Sequence, residues 1–376
     1  MPTLSASPVY FPNMTDPIKS RVASLVRPEI LALKAYGVAD PGDLIKLDAM
    51  ENPYEWPAEI KRAWAERLQA VSINRYPDAG ARRLRTSLRQ AMGVPRDMEL
   101  LLGNGSDELI QMILMALARP GATVMAPTPT FVMYEMTSRF IGLDFIGVPL
   151  KPEDFSLDLD AMLAAIAQHQ PAVIFLAYPN NPTGNLFATT DIESIIEAAH
   201  GLVVLDEAYH AFAERSFMAR VAEYENLVVM RTVSKLGLAG LRLGILAGDR
   251  AWLQEFDKVR LPYNISSLTQ TSAEFALENM DFLNEQTARI RSSRAELATA
   301  LAGIEQVEAW PSFANFILFR VRGKSASEIH EGLRQRGVLI KSMDKADPAL
   351  ANCLRVTVGT EEENTAFVHA LQALVR

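Results

Sequence analysis

The sequence is short of cysteine, of clustered histidine, of long apolar runs and of surplus positive charge. A single cysteine, Cys353, among 376 residues excludes an internal disulfide and a thiolate metal cage, and fits a reducing compartment. The five histidines stand apart at positions 169, 200, 210, 330 and 369, with no pair spaced as zinc ligands, so no metal site is expected. No apolar stretch approaches the ~18–20 residues of a membrane span. Residues 1–26 mix Pro, Ser, Asp and Lys without the apolar core of a secretion signal. Forty-five acidic against 37 basic residues give a net charge of −8, so the bulk basic footprint of a nucleic-acid binder is missing. What is present is the composition of a packed globular chain, 49% hydrophobic and 22% charged, with length for two to three domains. A cytoplasmic protein without membrane or nucleic-acid partners is expected.

The middle of the chain alternates short β-branched or apolar runs with amphipathic stretches, the pattern of a mostly parallel sheet covered by helices. Strands are predicted at 99–102, 123–126, 145–149, 172–178, 202–206, 227–231 and 243–247, with helices at 107–118, 157–168 and 190–199 between them. The runs Val173-Ile174-Phe175-Leu176 and Leu202-Val203-Val204-Leu205 do not alternate, so they read as strands buried on both faces. After residue 266 the texture changes. One long helical stretch at 268–301 is followed by strands at 316–319, 339–341 and 353–358, and by helices at 326–336 and 362–374. The reading is an α/β protein with a large domain at 50–265, a smaller α+β domain at 266–376, and a segment at 1–49 packing on the smaller domain.

In sheets of this kind ligands sit beyond the carboxyl ends of the parallel strands, and four loops there are informative. In Gly103-Asn104-Gly105-Ser106-Asp107-Glu108, glycines permit a tight turn and the first helical amides face an anion. Glu108 stands where a dinucleotide motif needs its third glycine, and the next strand ends without an acid for a ribose, so a single phosphate fits better. Alone, this loop is equally a capped helix start. Tyr178-Pro179-Asn180-Asn181-Pro182-Thr183-Gly184 reads as a rigid turn with amide side chains left to donate. Asp206, at the end of a buried strand, is costly unless a cation or donors meet it, and by itself reads first as a satisfied structural carboxylate. Thr232, Ser234, Lys235, a Gly-punctuated loop and Arg242 seven residues after the lysine suit an anionic ligand beside a reactive amine.

Together the four loops ask for a ligand bearing a phosphate, an aldehyde and a basic ring nitrogen: pyridoxal phosphate. Gly105, Ser106, Asp107, Thr232, Ser234 and Arg242 would take the phosphate, Lys235 the aldehyde, and Asp206 the ring nitrogen, so that the ring accepts carbanion electrons. Asn181 and Tyr209 would donate to the ring's phenolic oxygen. Phe131, after the turn at 127–130, either stacks on the ring or belongs to the core.

The set Asn181-Pro182-Thr183-Gly184, Asp206-Glu207-Ala208-Tyr209 and Ser234-Lys235 with Arg242 resembles class II aminotransferases of fold type I. Stretches 47–54, 74–77, 237–242 and 352–360 make it most similar to the histidinol-phosphate aminotransferase family. The resemblance implies transamination of L-histidinol phosphate with 2-oxoglutarate, giving imidazole-acetol phosphate and glutamate in histidine biosynthesis. It also implies a homodimer with shared active sites, in which Tyr76 reaches the neighbour's cofactor phosphate. Substrate contacts would come from Tyr36, Asn52, Asn181 and Arg355, the last holding a carboxylate or phosphate. Four features depart from the family pattern: Met50 in place of a common Asn, Glu55 in place of a common Gly, a shortened spacing between Lys235 and Arg242, and Lys341 where some relatives carry arginine. An aromatic amino-acid aminotransferase and a phospho-amino-acid decarboxylase share the pattern. A non-catalytic ligand sensor is disfavoured because Lys235 and Asp206 are both present.

Overall fold

The computed structural model describes residues 17–35 and 37–375. Tyr36, expected beside the substrate, lies outside the described residues, as do 1–16 of the expected N-terminal segment. Contacts divide the chain into units 1–39 and 40–376. The first unit contains helices Pro17–Leu25 and Pro28–Leu31, neither with a buried residue.

In the second unit, strands β1 (Ile45–Lys46), β2 (Glu99–Asn104), β3 (Thr123–Thr128), β4 (Asp144–Pro149), β5 (Val173–Ala177), β6 (Leu202–Asp206), β7 (Leu227–Thr232) and β8 (Leu243–Gly248) come first. They are followed by β9 (Val307–Ala309), β10 (Phe316–Val321), β11 (Val338–Leu339), β12 (Lys341–Ser342) and β13 (Cys353–Thr357). Seven of these form one sheet in the order β2-β8-β7-β6-β5-β3-β4. β5, β6 and β7 are buried along their whole length, as continuous apolar runs require when both faces are covered. Their residues alternate between two apolar layers: Ile174, Leu176, Val203 and Leu205 on one side, Val173, Phe175, Leu202 and Val204 on the other.

β8 pairs antiparallel with both β7 and β2, so the sheet is parallel except at this strand. Only residues 233–242 separate β7 from β8, too few for the crossover that a parallel return needs. A second, antiparallel sheet orders β12-β13-β10-β9, and β1 pairs in parallel with β11.

Two expectations are corrected. The helical stretch after residue 266 is two helices, Ser267–Glu278 and Met280–Ala302, broken at Asn279. The Asn279 amide donates to the Phe275 carbonyl at 2.8 Å, offering the backbone a local alternative to continued helix. The strand expected at 339–341 is two short strands, β11 and β12, that serve different sheets.

Candidate active site

β5, β6 and β7 end at the same edge of the sheet, and the loops beyond them line a cavity of about 120 Å³. β2 turns through Gly105, at φ +81°, into helix Ser106–Leu117. No side chain caps that helix start, which leaves its first amides to an anion. Arg242 arrives from the other side at the head of β8. Its guanidinium lies 3.2 Å from the Asp107 carboxylate and 3.5 Å from Ser234 Oγ. The fit is close: a Cβ on Gly105 would stand 2.7 Å from Arg242 Nη2, and one on Gly244 would stand 2.6 Å from the Gly105 backbone. Gly244→Ala must therefore push back the turn that faces the anion. We expect it to raise the dissociation constant for pyridoxal phosphate by about tenfold, the size of one lost charge-assisted contact, measured by fluorescence titration of the empty protein.

Asp206 ends β6, almost wholly buried. Burial pushes its carboxyl up to about 6, against the opposing effect of two donors. Those donors are the Tyr134 hydroxyl at 2.7 Å and the Ala208 amide at 3.0 Å. Tyr134 is itself fully buried and stacks on Phe175 with centroids 4.6 Å apart. Sequence reasoning missed Tyr134. Its only signal was an aromatic three residues after Phe131 at a helix start, which gives no hint of a partner 72 residues away. Phe131 lines the cavity and meets the Tyr134 ring edge-on at 5.6 Å.

Lys235 follows the Thr232 and Ser234 hydroxyls, which bond to one another at 2.9 Å. Its Nζ donates to the Ala49 carbonyl at 3.3 Å and lies 5.8 Å from the Tyr209 ring centroid. Burial, then the nearby Arg355, lower its amine from 10.5 to about 8. Ala49 belongs to a strap, 48–52, pinned from several sides. The Asp48 carbonyl accepts from Arg355 Nη2 at 3.0 Å, and the Met50 amide donates to Thr357 Oγ1 at 3.0 Å. The Met50 carbonyl accepts from Asn315 Nδ2 at 3.0 Å. Tyr209 donates its hydroxyl to Met50 Sδ at 3.4 Å, and burial raises its phenol above the ordinary value.

The doubled asparagine divides its work. Asn180 is structural: its amide donates to the Pro129 carbonyl at 2.9 Å and to Thr183 Oγ1 at 2.7 Å, locking the turn. Asn181 lines the cavity, and its oxygen accepts from Arg355 Nη1 at 2.5 Å. Arg355, on β13, is buried over the Phe316 ring. Beneath the site, Glu207 and Arg231 form a fully buried ion pair, with Arg231 Nε 2.9 Å from Glu207 Oε2. Arg231 also donates to the Met92 carbonyl and Ser216, so the charges are met on both sides. The pair joins the residue after Asp206 to the residue before Thr232, holding the two loops in register.

Other expected residues lie apart from the cavity lining. Asn52 spends its amide on the Leu236 carbonyl and Gln286 Oε1, at 3.3 and 3.1 Å, so it anchors the strap to the lysine loop. Tyr76 is 80% exposed and stacks on Tyr263 at 4.4 Å. Lys341 sits opposite Arg355 in the β12–β13 ladder. Among the described residues no group of three or more metal-ligating side chains is gathered.

The donor set fits pyridoxal phosphate. A glycine cradle with an arginine suits its phosphate, a buried amine its aldehyde, and a buried carboxylate its ring nitrogen, all lining or bordering one cavity. Burial disfavours the charge of the Asp206 carboxylate, and a protonated pyridine nitrogen would offset that cost.

The fold and this set define the class: residues 42–371 match the family model "Aminotransferase class I and II", and the chain belongs to that family of pyridoxal-phosphate-dependent aminotransferases. Among its relatives, Histidinol-phosphate aminotransferase 2 of Nitrosococcus oceani is 57% identical over 94% of this chain and 98% of its own. The protein of the same name from Cupriavidus pinatubonensis is 52% identical over 96% and 99%. Among solved structures, histidinol-phosphate aminotransferase from Sinorhizobium meliloti in complex with pyridoxal-5′-phosphate is 25% identical. It covers 94% of this chain and 98% of its own, with a TM-score of 0.83.

Proposed function

We propose that this aminotransferase takes its amino group from L-histidinol phosphate and passes it to 2-oxoglutarate, yielding imidazole-acetol phosphate and glutamate. The observation that carries the reading is the near full-length identity of 57% to a protein named for that substrate. The site agrees with it. Arg242 stands at the helix start that suits the cofactor's phosphate, which leaves Arg355, oriented by Asn181 and the Asp48 carbonyl, for the anionic end of the substrate. The same guanidinium accepts the carboxylate of 2-oxoglutarate in the second half of the cycle.

When bound, pyridoxal phosphate supplies a ring that takes up the electrons released as the substrate Cα loses its proton. The chain does the rest. Asp206 holds the ring nitrogen protonated, fixed by Tyr134 and the Ala208 amide. Lys235 moves the proton between the substrate Cα and the cofactor carbon, and its depressed basicity leaves a useful neutral fraction near neutral pH. Asn181 and Tyr209 donate to the phenolic oxygen. The Thr232–Ser234 pair and the first amides of Ser106–Leu117 hold the phosphate.

The lysine carries a pH signature. Its folded value, about 8, lies below the 10.5 of the free side chain, so the neutral nucleophile dominates above pH 8. The rate at which empty protein combines with pyridoxal phosphate is expected to rise about tenfold per pH unit below that value and to flatten above it. A rate that climbs unbroken to pH 10 would show an ordinary exposed lysine. The sign extends to stability: the empty fold's contribution from this group is complete above pH 10.5 and is lost as pH falls through 8.

A homodimer belongs to the same proposal. The stacked Tyr76 and Tyr263, beside exposed Ile73 and Leu261, form an apolar patch that supports a second copy carrying Tyr76 to its neighbour's phosphate. The proposal includes a large domain at 50–265, a smaller one at 266–376 and a cytoplasmic location. Half-reaction spectra with histidinol phosphate, phenylalanine and glutamate test the substrate. Histidinol phosphate is expected to discharge the visible cofactor band fastest, and a far faster reaction with phenylalanine would replace it by an aromatic amino acid.

A further inference from the structure

We propose that Met50 is a specificity-determining residue, whose thioether forms the apolar wall for the ring carried by the amine substrate. The inference rests on the proposed function for where the substrate lies, and three observations on the strap 48–52 converge on it.

The first is conformational. Met50 adopts φ +54°, the left-handed region that glycine enters freely and a long side chain does not. Its backbone is held on both sides, by Thr357 Oγ1 and by Asn315 Nδ2, at 3.0 Å each. The strap is thus over-determined, and a side chain borne there is carried against a local cost.

The second is position. The carbonyl of Asp48 holds Arg355 and that of Ala49 holds Lys235, so the strap runs between the two cations. A substrate whose amino carbon comes to the lysine and whose anion comes to Arg355 lies along this strap. Met50 is the one strap residue lining the cavity.

The third is the nature of its contact. Met50 Sδ accepts the Tyr209 hydroxyl at 3.4 Å, a weak bond to a soft acceptor that is readily given up. Once Tyr209 donates to the cofactor's phenolic oxygen, the thioether is released, unbranched and polarizable, next to the place of the substrate's side chain. Such a group favours a flat ring over a carboxylate. Met50 therefore sets the preference for ring-bearing amines over dicarboxylates.

Met50→Ala, Met50→Gly and Met50→Leu test this in the holoenzyme by two readouts. One is calorimetric binding of the inert analogues 3-phenylpropionate and glutarate. The other is the ratio of kcat/KM for phenylalanine to that for glutamate. Alanine and glycine are expected to lower the ring-over-dicarboxylate preference by about tenfold or more in both readouts, with leucine within about threefold of wild type. Glycine suits the left-handed backbone, so a folded variant without the side chain is secured. An unchanged preference in Met50→Ala or Met50→Gly overturns the proposal. A Met50→Leu protein as impaired as Met50→Ala would assign the preference to the sulfur, and one near wild type would assign it to apolar volume; either outcome keeps it at Met50. A wild type without ring preference overturns it too. If the wild type ignores histidinol phosphate yet shows a Met50-dependent preference for phenylalanine, the proposed substrate fails and the role of Met50 stands.

Discussion

Lys235→Ala is expected to lower kcat by more than about a thousandfold, since it removes both the group that captures the aldehyde and the base that moves the proton. The empty protein should melt close to wild type. What the variant loses is a single 3.3 Å bond to the Ala49 carbonyl, and with it goes a buried amine that burial already disfavours as a cation. Turnover by stopped assay and melting by calorimetry separate these effects. A variant that turns over normally would remove Lys235 from the chemistry. A variant that fails to melt cooperatively would mean that the lysine holds the strap rather than the proton. Partial rescue by a small primary amine is the further expectation, because the methyl of alanine leaves room in the cavity for one.

Asp206→Asn is the second large effect. The substitution keeps shape and retains an oxygen for Tyr134, but no longer holds a positive ring nitrogen. We expect kcat to fall by about a hundred- to a thousandfold, the loss seen when one preorganised electrostatic contact is taken away. Stability should move the other way. In the folded chain the carboxyl ionises at about 6 rather than 3.8, so its stabilising contribution is full below pH 3.8 and is lost as pH rises through 6. At pH 7–8 the empty wild type carries a buried carboxylate that asparagine does not, and the variant's empty form should melt at the same temperature or higher. Equal melting curves at low pH and a divergence above pH 6 would be the signature. A variant with near-normal turnover would show that the cofactor nitrogen is held elsewhere.

Much of this was legible in the sequence where local chemistry decides local structure. β6 coincides with the apolar run that ends in Asp206, because a strand buried on both faces announces itself by composition. The loop around Lys235 was equally plain, since hydroxyls, lysine and glycines are contiguous. What escaped depends on partners far apart in the chain. Tyr134 finds Asp206, Asn52 finds Gln286, and Arg231 finds Met92, none signalled by spacing. The long helix broke because Asn279 competes for its own backbone, an effect smaller than the periodicity around it. The antiparallel β8 is readable in principle from the short connection after β7, and one reversed strand accords with the mostly parallel sheet expected.

That reversed strand has a consequence for how the molecule comes into being. Asn104 pairs with Leu243 and Gly103 with Gly244, so the anion cradle unites segments separated by most of the large sheet. Closing so long an intervening chain costs entropy before any contact rewards it. The lysine loop can form from neighbours in sequence, whereas the phosphate seat must await the union of β2 with β8. A nascent or half-folded chain would thus present its amine before it can grip the cofactor. Tight cofactor retention becomes a mark that the most distant pairing in the sheet has been made.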